Sequence, residues 1–222
     1  MKALIILSSI LLCSCANVDY VEYVNPNLQL KKIVQKHGLN RSGLNCIDGK
    51  SDCDGAIREI NQLLLSHPDN DDINLVHANL LLKSGKNDQA NYTLNKLVNQ
   101  NKPQLISLMM AIELNILKNN LNRAVSLSDK ALKLYGAQPK VYAQLAAIYY
   151  AKGDYIAAGK YLDISKSTGL SYPLYYYNLA LISEKQKDIK KACNYYAKSL
   201  EYDASYEQSI HNRSRLSINM VC

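Results

Sequence analysis

The sequence predicts an all-α fold, a superhelical stack of antiparallel helix pairs, and three observations predict it. Alanines recur at Ala56, Ala90, Ala124, Ala158 and Ala192, each 34 residues after the last. Turn positions recur at the same interval, at Gly85, Asn119, Gly153 and Lys187. Prolines fall near the start of each interval, at Pro68, Pro103, Pro139 and Pro173, and these are four of the five in the chain. Self-similarity at a fixed period of 20–50 residues marks a repeat architecture.

Each marker has a physical reason. Glycine and asparagine tolerate the left-handed conformation that ends a helix. Lys187 departs from this pattern and leaves the geometry of the last turn open. Proline suits the first turn of a helix and disrupts its interior. Between the markers the apolar residues follow helical spacing. Tyr142, Leu145, Ala146 and Tyr149 lie at i, i+3, i+4 and i+7, and Tyr176, Leu179 and Ala180 repeat the first three places. The second helices carry Tyr155, Ala158, Tyr161, Leu162 and Ser165, then Ile189, Ala192, Tyr195, Tyr196 and Ser199. Small residues at Ala146, Ala158, Ala180 and Ala192 let two helices approach closely.

These residues resemble the tetratricopeptide repeat, whose unit is a 34-residue helix–turn–helix. The unit beginning at Pro139 matches through Tyr142, Leu145, Ala146, Tyr149, Gly153, Tyr155 and Ala158. The unit beginning at Pro173 matches through Tyr176, Leu179, Ala180, Ala192 and Tyr196. The two before it keep Ala78, Gly85, Ala90, Ala111, Ala124 and Ala131 but lack the aromatics. The resemblance implies a tetratricopeptide-repeat solenoid with four units, at 71–104, 105–138, 139–172 and 173–206. Solenoids need caps at both ends. Residues 28–70 read as an irregular segment and a half-repeat cap, with a helix expected over 54–67 and a short one over 28–37. Residues 207–222 read as a capping helix.

The N-terminus carries an address. Met1-Lys2 gives a positive start, and Ala3 to Leu12 is an uncharged run of ten residues. A membrane-spanning helix needs about 20 apolar residues, so the run reads as a signal-peptide core. Leu12-Cys13-Ser14-Cys15 resembles the lipobox of bacterial lipoproteins. That implies a signal peptide over 1–14, cleavage after Ser14, a lipid on Cys15 and a tether over 15–27. Ala16 follows the cysteine, which in that family favours the outer membrane, facing the periplasm. The alternative is a plain secretory signal with a chance cysteine. Net charge is +7, and no basic block of five or more occurs. The charge reads as a solvated face suited to anionic headgroups, peptidoglycan or an acidic partner. Nucleic acid is not expected as a partner.

Four cysteines follow Cys15: Cys46, Cys53, Cys193 and Cys222. An oxidising compartment permits disulfides, and four cysteines allow three connectivities. Cys46–Cys53 would close a small loop. Cys193 starts the last second helix, and a closing helix antiparallel to it would return Cys222 near that start. Metal binding is the weaker alternative, because no CxxC occurs and His37, His67, His77 and His211 are scattered.

No catalytic signature is present: no HExxH, no GxSxG, no glycine-rich phosphate loop. The reading is a binding module without enzymatic activity, cofactor, metal or small-molecule substrate. Stacked hairpins create a concave surface. In the repeat family the first helices line it, which here picks out Leu75, Asn79, Met109, Glu113, Ile116, Tyr150, Tyr177 and Leu181. Such a set suits an extended peptide or an amphipathic helix. The alternative is that residues such as Leu75, Met109 and Leu181 only pack between adjacent helices. The rival from another class is an envelope enzyme using Asp48, Asp52 and Asp54.

A small lipoprotein built almost wholly of such repeats is similar to pilotin-type lipoproteins of type IV and tight adherence (Flp) pilus assembly. That resemblance implies an assembly factor binding a secretin or pilus component. Adaptors for peptidoglycan enzymes or for outer-membrane protein assembly are the other reading.

Overall fold

The computed structural model describes residues 34–36, 46, 53–217 and 222. The signal segment, Cys15, the tether, Asp48 and Asp52 lie outside the described residues. Among the described residues ten helices follow one another: α1 (Asp54–Ser66), α2 (Asp71–Lys83), α3 (Asn87–Val98), α4 (Leu105–Leu117), α5 (Leu121–Tyr135), α6 (Pro139–Lys152), α7 (Tyr155–Ser167), α8 (Tyr172–Lys185), α9 (Ile189–Tyr202) and α10 (Glu207–Ser217). No strand occurs among them. None of these helices is long and apolar enough to cross a membrane.

The repeat period has a local cause in the turns. Gly85, Asn119, Gly153 and Lys187 all have positive φ, at 72°, 58°, 81° and 64°. Each turn closes with the same two bonds. Gly153 N donates to Tyr150 O at 3.0 Å and Asp154 N to Tyr149 O at 2.9 Å. Lys187 N donates to Glu184 O and Asp188 N to Ser183 O, both at 3.0 Å. These bonds satisfy carbonyls the helix end leaves open. Lys187 therefore adopts the glycine conformation, and the turn left open by the sequence has the geometry of the others.

Side-chain caps repeat as well. Asp154 Oδ1 accepts from Ala157 N and Asp188 Oδ1 from Lys191 N, each at 3.0 Å. Asn70 Oδ1 accepts from Ile73 N at 3.1 Å. Pro139 and Pro173 stand in the first turns of α6 and α8. The periodic alanines explain themselves by burial. Ala90, Ala124, Ala158 and Ala192 are fully buried and Ala56 nearly so. A larger side chain there would push apart helices that pack to native density.

The described chain forms two compact units, one ending at Leu114 and one beginning at Asn115. In the first, α1 packs on α2 and α2 on α3. Its core is aliphatic: Ile60, Ile73, Val76, Leu80, Leu81, Leu94 and Leu108 are buried. Val34 is also buried, and Lys36 pairs with Asp72 at 3.1 Å. Cys46 is bonded to Cys53, with Cα atoms 5.0 Å apart. In the second unit each helix from α5 to α10 packs on the next. Its core adds aromatics, with Tyr177 and Tyr196 fully buried among Leu145, Leu162 and Leu174. Cys193 is bonded to Cys222, with Cα atoms 5.6 Å apart.

Candidate binding surfaces

The residues assigned to a concave groove divide sharply by burial. Leu75 and Met109 are each 1% exposed, and Tyr177 is 0% exposed. Ile116, Tyr150 and Leu181 are buried too. These six pack into the interiors of their units and leave little side-chain surface for a ligand, although Tyr150 also borders the depression described below. The reason is packing. Tyr177 lies 5.9 Å from the Tyr196 ring and 5.7 Å from the Tyr206 ring, and Asn212 Nδ2 donates to its hydroxyl at 3.3 Å. Tyr150 meets Tyr155 edge-on at 5.7 Å.

Asn79 and Glu113 behave differently. They occupy the same position in consecutive repeats and are only half-buried. Asn79 Oδ1 and Glu113 Oε2 are shielded from water and have no hydrogen-bond partner. Burial pushes the Glu113 carboxyl up to about 8, against the opposing charge of Lys83. A buried acceptor without a donor is costly, so this pair is the polar spot on the first unit.

The second unit has a shallow depression, large enough for about one water molecule, between Ala143, Ala147, Tyr150, Asn178 and Ile182. Asn178 is 3% exposed. Its Nδ2 donates to Leu174 O at 2.8 Å, while its Oδ1 has no partner.

At the C-terminal end α10 closes over α9. Glu184 accepts from the Tyr196 hydroxyl and, at 2.6 Å, from Arg215 Nη2. That pairing raises the Arg215 guanidinium still further above its ordinary value. Ser209 Oγ donates to Ser199 Oγ at 2.7 Å.

One surface was not singled out by sequence reasoning. Tyr172 and Tyr176 on α8 and Tyr195 and Tyr202 on α9 form a row of near-parallel rings. Tyr172 and Tyr202 stack at 4.6 Å and 14°, Tyr176 and Tyr202 at 5.6 Å and 14°, and Tyr176 and Tyr195 at 6.1 Å and 28°. Lysine ammonium groups lie over the rings: Lys166 over Tyr172 and Tyr175, Lys198 over Tyr176, and Lys191 over Tyr195. The available signal was compositional. Residues 115–222 hold 14 of the 17 tyrosines.

The enzymatic alternative finds no geometric support at Asp54, whose Oδ1 pairs with Lys86 Nζ at 2.7 Å. Lys86 holds the Asp54 carboxyl below its ordinary value. Among the described residues no three His, Cys, Asp or Glu side chains gather as a metal site requires.

At the level of sequence, no protein-family model and no curated protein matches the chain. At the level of structure the likenesses agree with one another. A thermophilic tetratricopeptide-repeat protein of Thermus thermophilus, TTC0263, superposes with a TM-score of 0.68 at 19% identity, covering 87% of this chain and 99% of that one. A tetratricopeptide-repeat protein of Parabacteroides merdae gives 0.65 at 14% identity, covering 89% and 85%. A chain of the APC/C hetero-tetramer Cut9–Hcn1 gives 0.62 at 18% identity, covering 79% of this chain and 35% of that one. The class is defined by the fold: an all-α stack of tetratricopeptide-type helix pairs.

Proposed function

We propose that the chain is a non-catalytic, protein-binding scaffold, exported and held by a lipid on Cys15 at the outer membrane, facing the periplasm. The observation that carries the reading is the state of the cysteines. Beyond Cys15 the chain has four, and all four are bonded, Cys46 to Cys53 and Cys193 to Cys222. Disulfides persist in oxidising compartments and are rare in the cytosol. The signal-like run over residues 3–12 and the Leu12-Cys13-Ser14-Cys15 motif support the same address. A lipid is needed for stable retention, and two or more acyl chains supply it.

The protein-binding part is supported by the fold, since helical repeat arrays present long surfaces to other proteins. A chain of the APC/C hetero-tetramer Cut9–Hcn1, which shares the fold, works within such an assembly. Within this reading the partner is a secretin or pilus component, and the chain assists assembly of a pilus or secretion apparatus of the tight adherence type. The support for that step is the resemblance to pilotin-type lipoproteins, namely small size, lipobox and an almost wholly repeat-built mature chain.

The test is affinity purification of the tagged, lipidated protein from its own envelope after cross-linking, with partners identified by mass spectrometry. Recovery of a secretin or pilus subunit is the expected result. Recovery of peptidoglycan enzymes or barrel-assembly components would keep the scaffold and replace the pilus reading. Recovery of no envelope protein would remove both.

A further inference from the structure

The basic charge of the chain is not spread evenly. Residues 115–222 carry 15 Lys and Arg against 8 Asp and Glu, a net charge of +7. Residues 14–114 carry 10 against 11, a net charge of −1. The unit that holds the charge also holds the tyrosine cluster, and Lys166, Lys191 and Lys198 lie over its rings. On α9, Lys191, Tyr195, Lys198 and Tyr202 fall at i, i+4, i+7 and i+11, one stripe of the helix. On α8, Tyr172 and Tyr176 are i and i+4 and stack against that stripe.

Core packing does not account for the row. Tyr172 is 45% exposed and Tyr202 55% exposed. The rings spend their faces on one another and on the lysines, whose ammonium groups sit 4.7 to 5.8 Å from ring centroids. Ring faces attract cations because the π-cloud is negative. What remains at the surface is a line of ring edges, phenol hydroxyls and ammonium groups. Those groups are hydrogen-bond donors.

The acids of the neighbourhood do not neutralise the lysines. Asp163 accepts from the Tyr175 hydroxyl at 2.7 Å. Asp203 accepts from Ser205 N and Oγ at 2.9 and 2.6 Å. Glu201 is exposed beside Tyr202. Among the described residues Lys166, Lys191 and Lys198 make no ion pair, while Lys36, Lys86, Lys96 and Arg215 are among those that do.

We propose that the face formed by Tyr172, Tyr176, Tyr195, Tyr202, Lys166 and Lys198 docks an acidic polypeptide segment. Its carboxylates accept hydrogen bonds from the ammonium groups and the phenol hydroxyls. The occupant is argued from charge: Lys166, Lys191 and Lys198 hold their ammonium groups over the tyrosine rings within a unit of net charge +7. The inference rests on the scaffold reading and names the chemistry of the partner that reading requires.

The test is fluorescence anisotropy with the full oxidised chain and a labelled twelve-residue peptide alternating glutamate and serine. A peptide with glutamine in place of glutamate is the control. The glutamate peptide binds and the glutamine peptide does not. Lys166→Glu with Lys198→Glu weakens binding by about tenfold or more, since like charges at an interface repel. Tyr202→Phe keeps the stack, removes one donor, and weakens binding by roughly threefold. Lys96→Glu, in the first unit, changes nothing. Circular dichroism of each variant confirms that the helices persist. No binding of the glutamate peptide, or binding indifferent to the Lys166 and Lys198 changes, overturns the proposal. Binding only to anionic lipid vesicles reassigns the face to a membrane and overturns it too. If the Lys166 and Lys198 variant still recovers the envelope partner by affinity purification, the scaffold stands and this face alone fails.

Discussion

Ser199 Oγ donates to the Pro173 carbonyl at 2.9 Å, tying the second helix of the last repeat to the first turn of its first helix. Ser165 makes the same bond to Pro139 at 2.6 Å, one repeat earlier. Both serines are fully buried. A hydrogen bond of this kind contributes about 1 kcal/mol. Ser165→Ala and Ser199→Ala are each expected to lower stability by about that amount, since alanine fits the space and only the bond is lost. Urea midpoints at constant slope provide the check. The Ser199 change is the more damaging of the two, because Ser209 also donates to Ser199.

Lys187 has φ +64° where the equivalent residue one repeat earlier, Gly153, is glycine. A left-handed L-residue costs roughly 1–2 kcal/mol, and glycine returns part of that in unfolded-state entropy. Lys187→Gly should therefore raise stability by about 0.5–1 kcal/mol, and Gly153→Ala should lower it. Thermal melting of the two variants against the parent gives the signs. A Lys187→Gly variant less stable than the parent would mean the lysine contributes something its turn geometry does not show.

The two disulfides close loops of different length, with separations of 7 residues for Cys46–Cys53 and 29 for Cys193–Cys222. Cross-links that close longer loops restrict the unfolded chain more. Cys222→Ser is expected to cost about 2–4 kcal/mol and Cys53→Ser less. Chemical denaturation of the single variants orders them. The longer bridge also holds the end of the chain beside α9, so its loss should increase hydrogen exchange in α10 first.

Glu113 carries the clearest pH signature. Its carboxyl is pushed up to about 8 by burial, against an ordinary value of 4.5. A raised acid means the folded state holds the proton more tightly than the unfolded one. Stability from this group is full below pH 4.5 and declines as pH rises through 8. Glu113→Gln should leave stability nearly unchanged at pH 4.5 and raise it by about 4 kcal/mol at pH 8. Parallel pH dependence of parent and variant would contradict the burial of a carboxyl at that position.

Much of the fold was legible in the sequence because it rests on a strict period. Buried alanines, left-handed turns and first-turn prolines each demand a particular residue type, so each leaves a mark every 34 residues. Lys187 broke the mark and kept the conformation, because the two bonds closing its turn hold the backbone whatever the side chain. The candidate site was less legible. The period locates first-helix positions such as Leu75, Met109 and Tyr177, but it does not say whether a neighbouring helix covers them. In the structure they are covered. The tyrosine row was illegible for a related reason: which ring faces which depends on how α8 and α9 are rotated about their axes. Composition alone, with tyrosine and basic charge concentrated in residues 115–222, pointed to that half of the chain.

The most direct measurement is the intact mass of the protein extracted from membranes, before and after reduction. A lipid-anchored envelope scaffold predicts a chain that begins at Cys15, carries acyl groups, and gains the mass of four hydrogens on reduction as its two disulfides open. A chain that still begins at Met1, or one without acyl groups and with free thiols at Cys46, Cys53, Cys193 and Cys222, would contradict it.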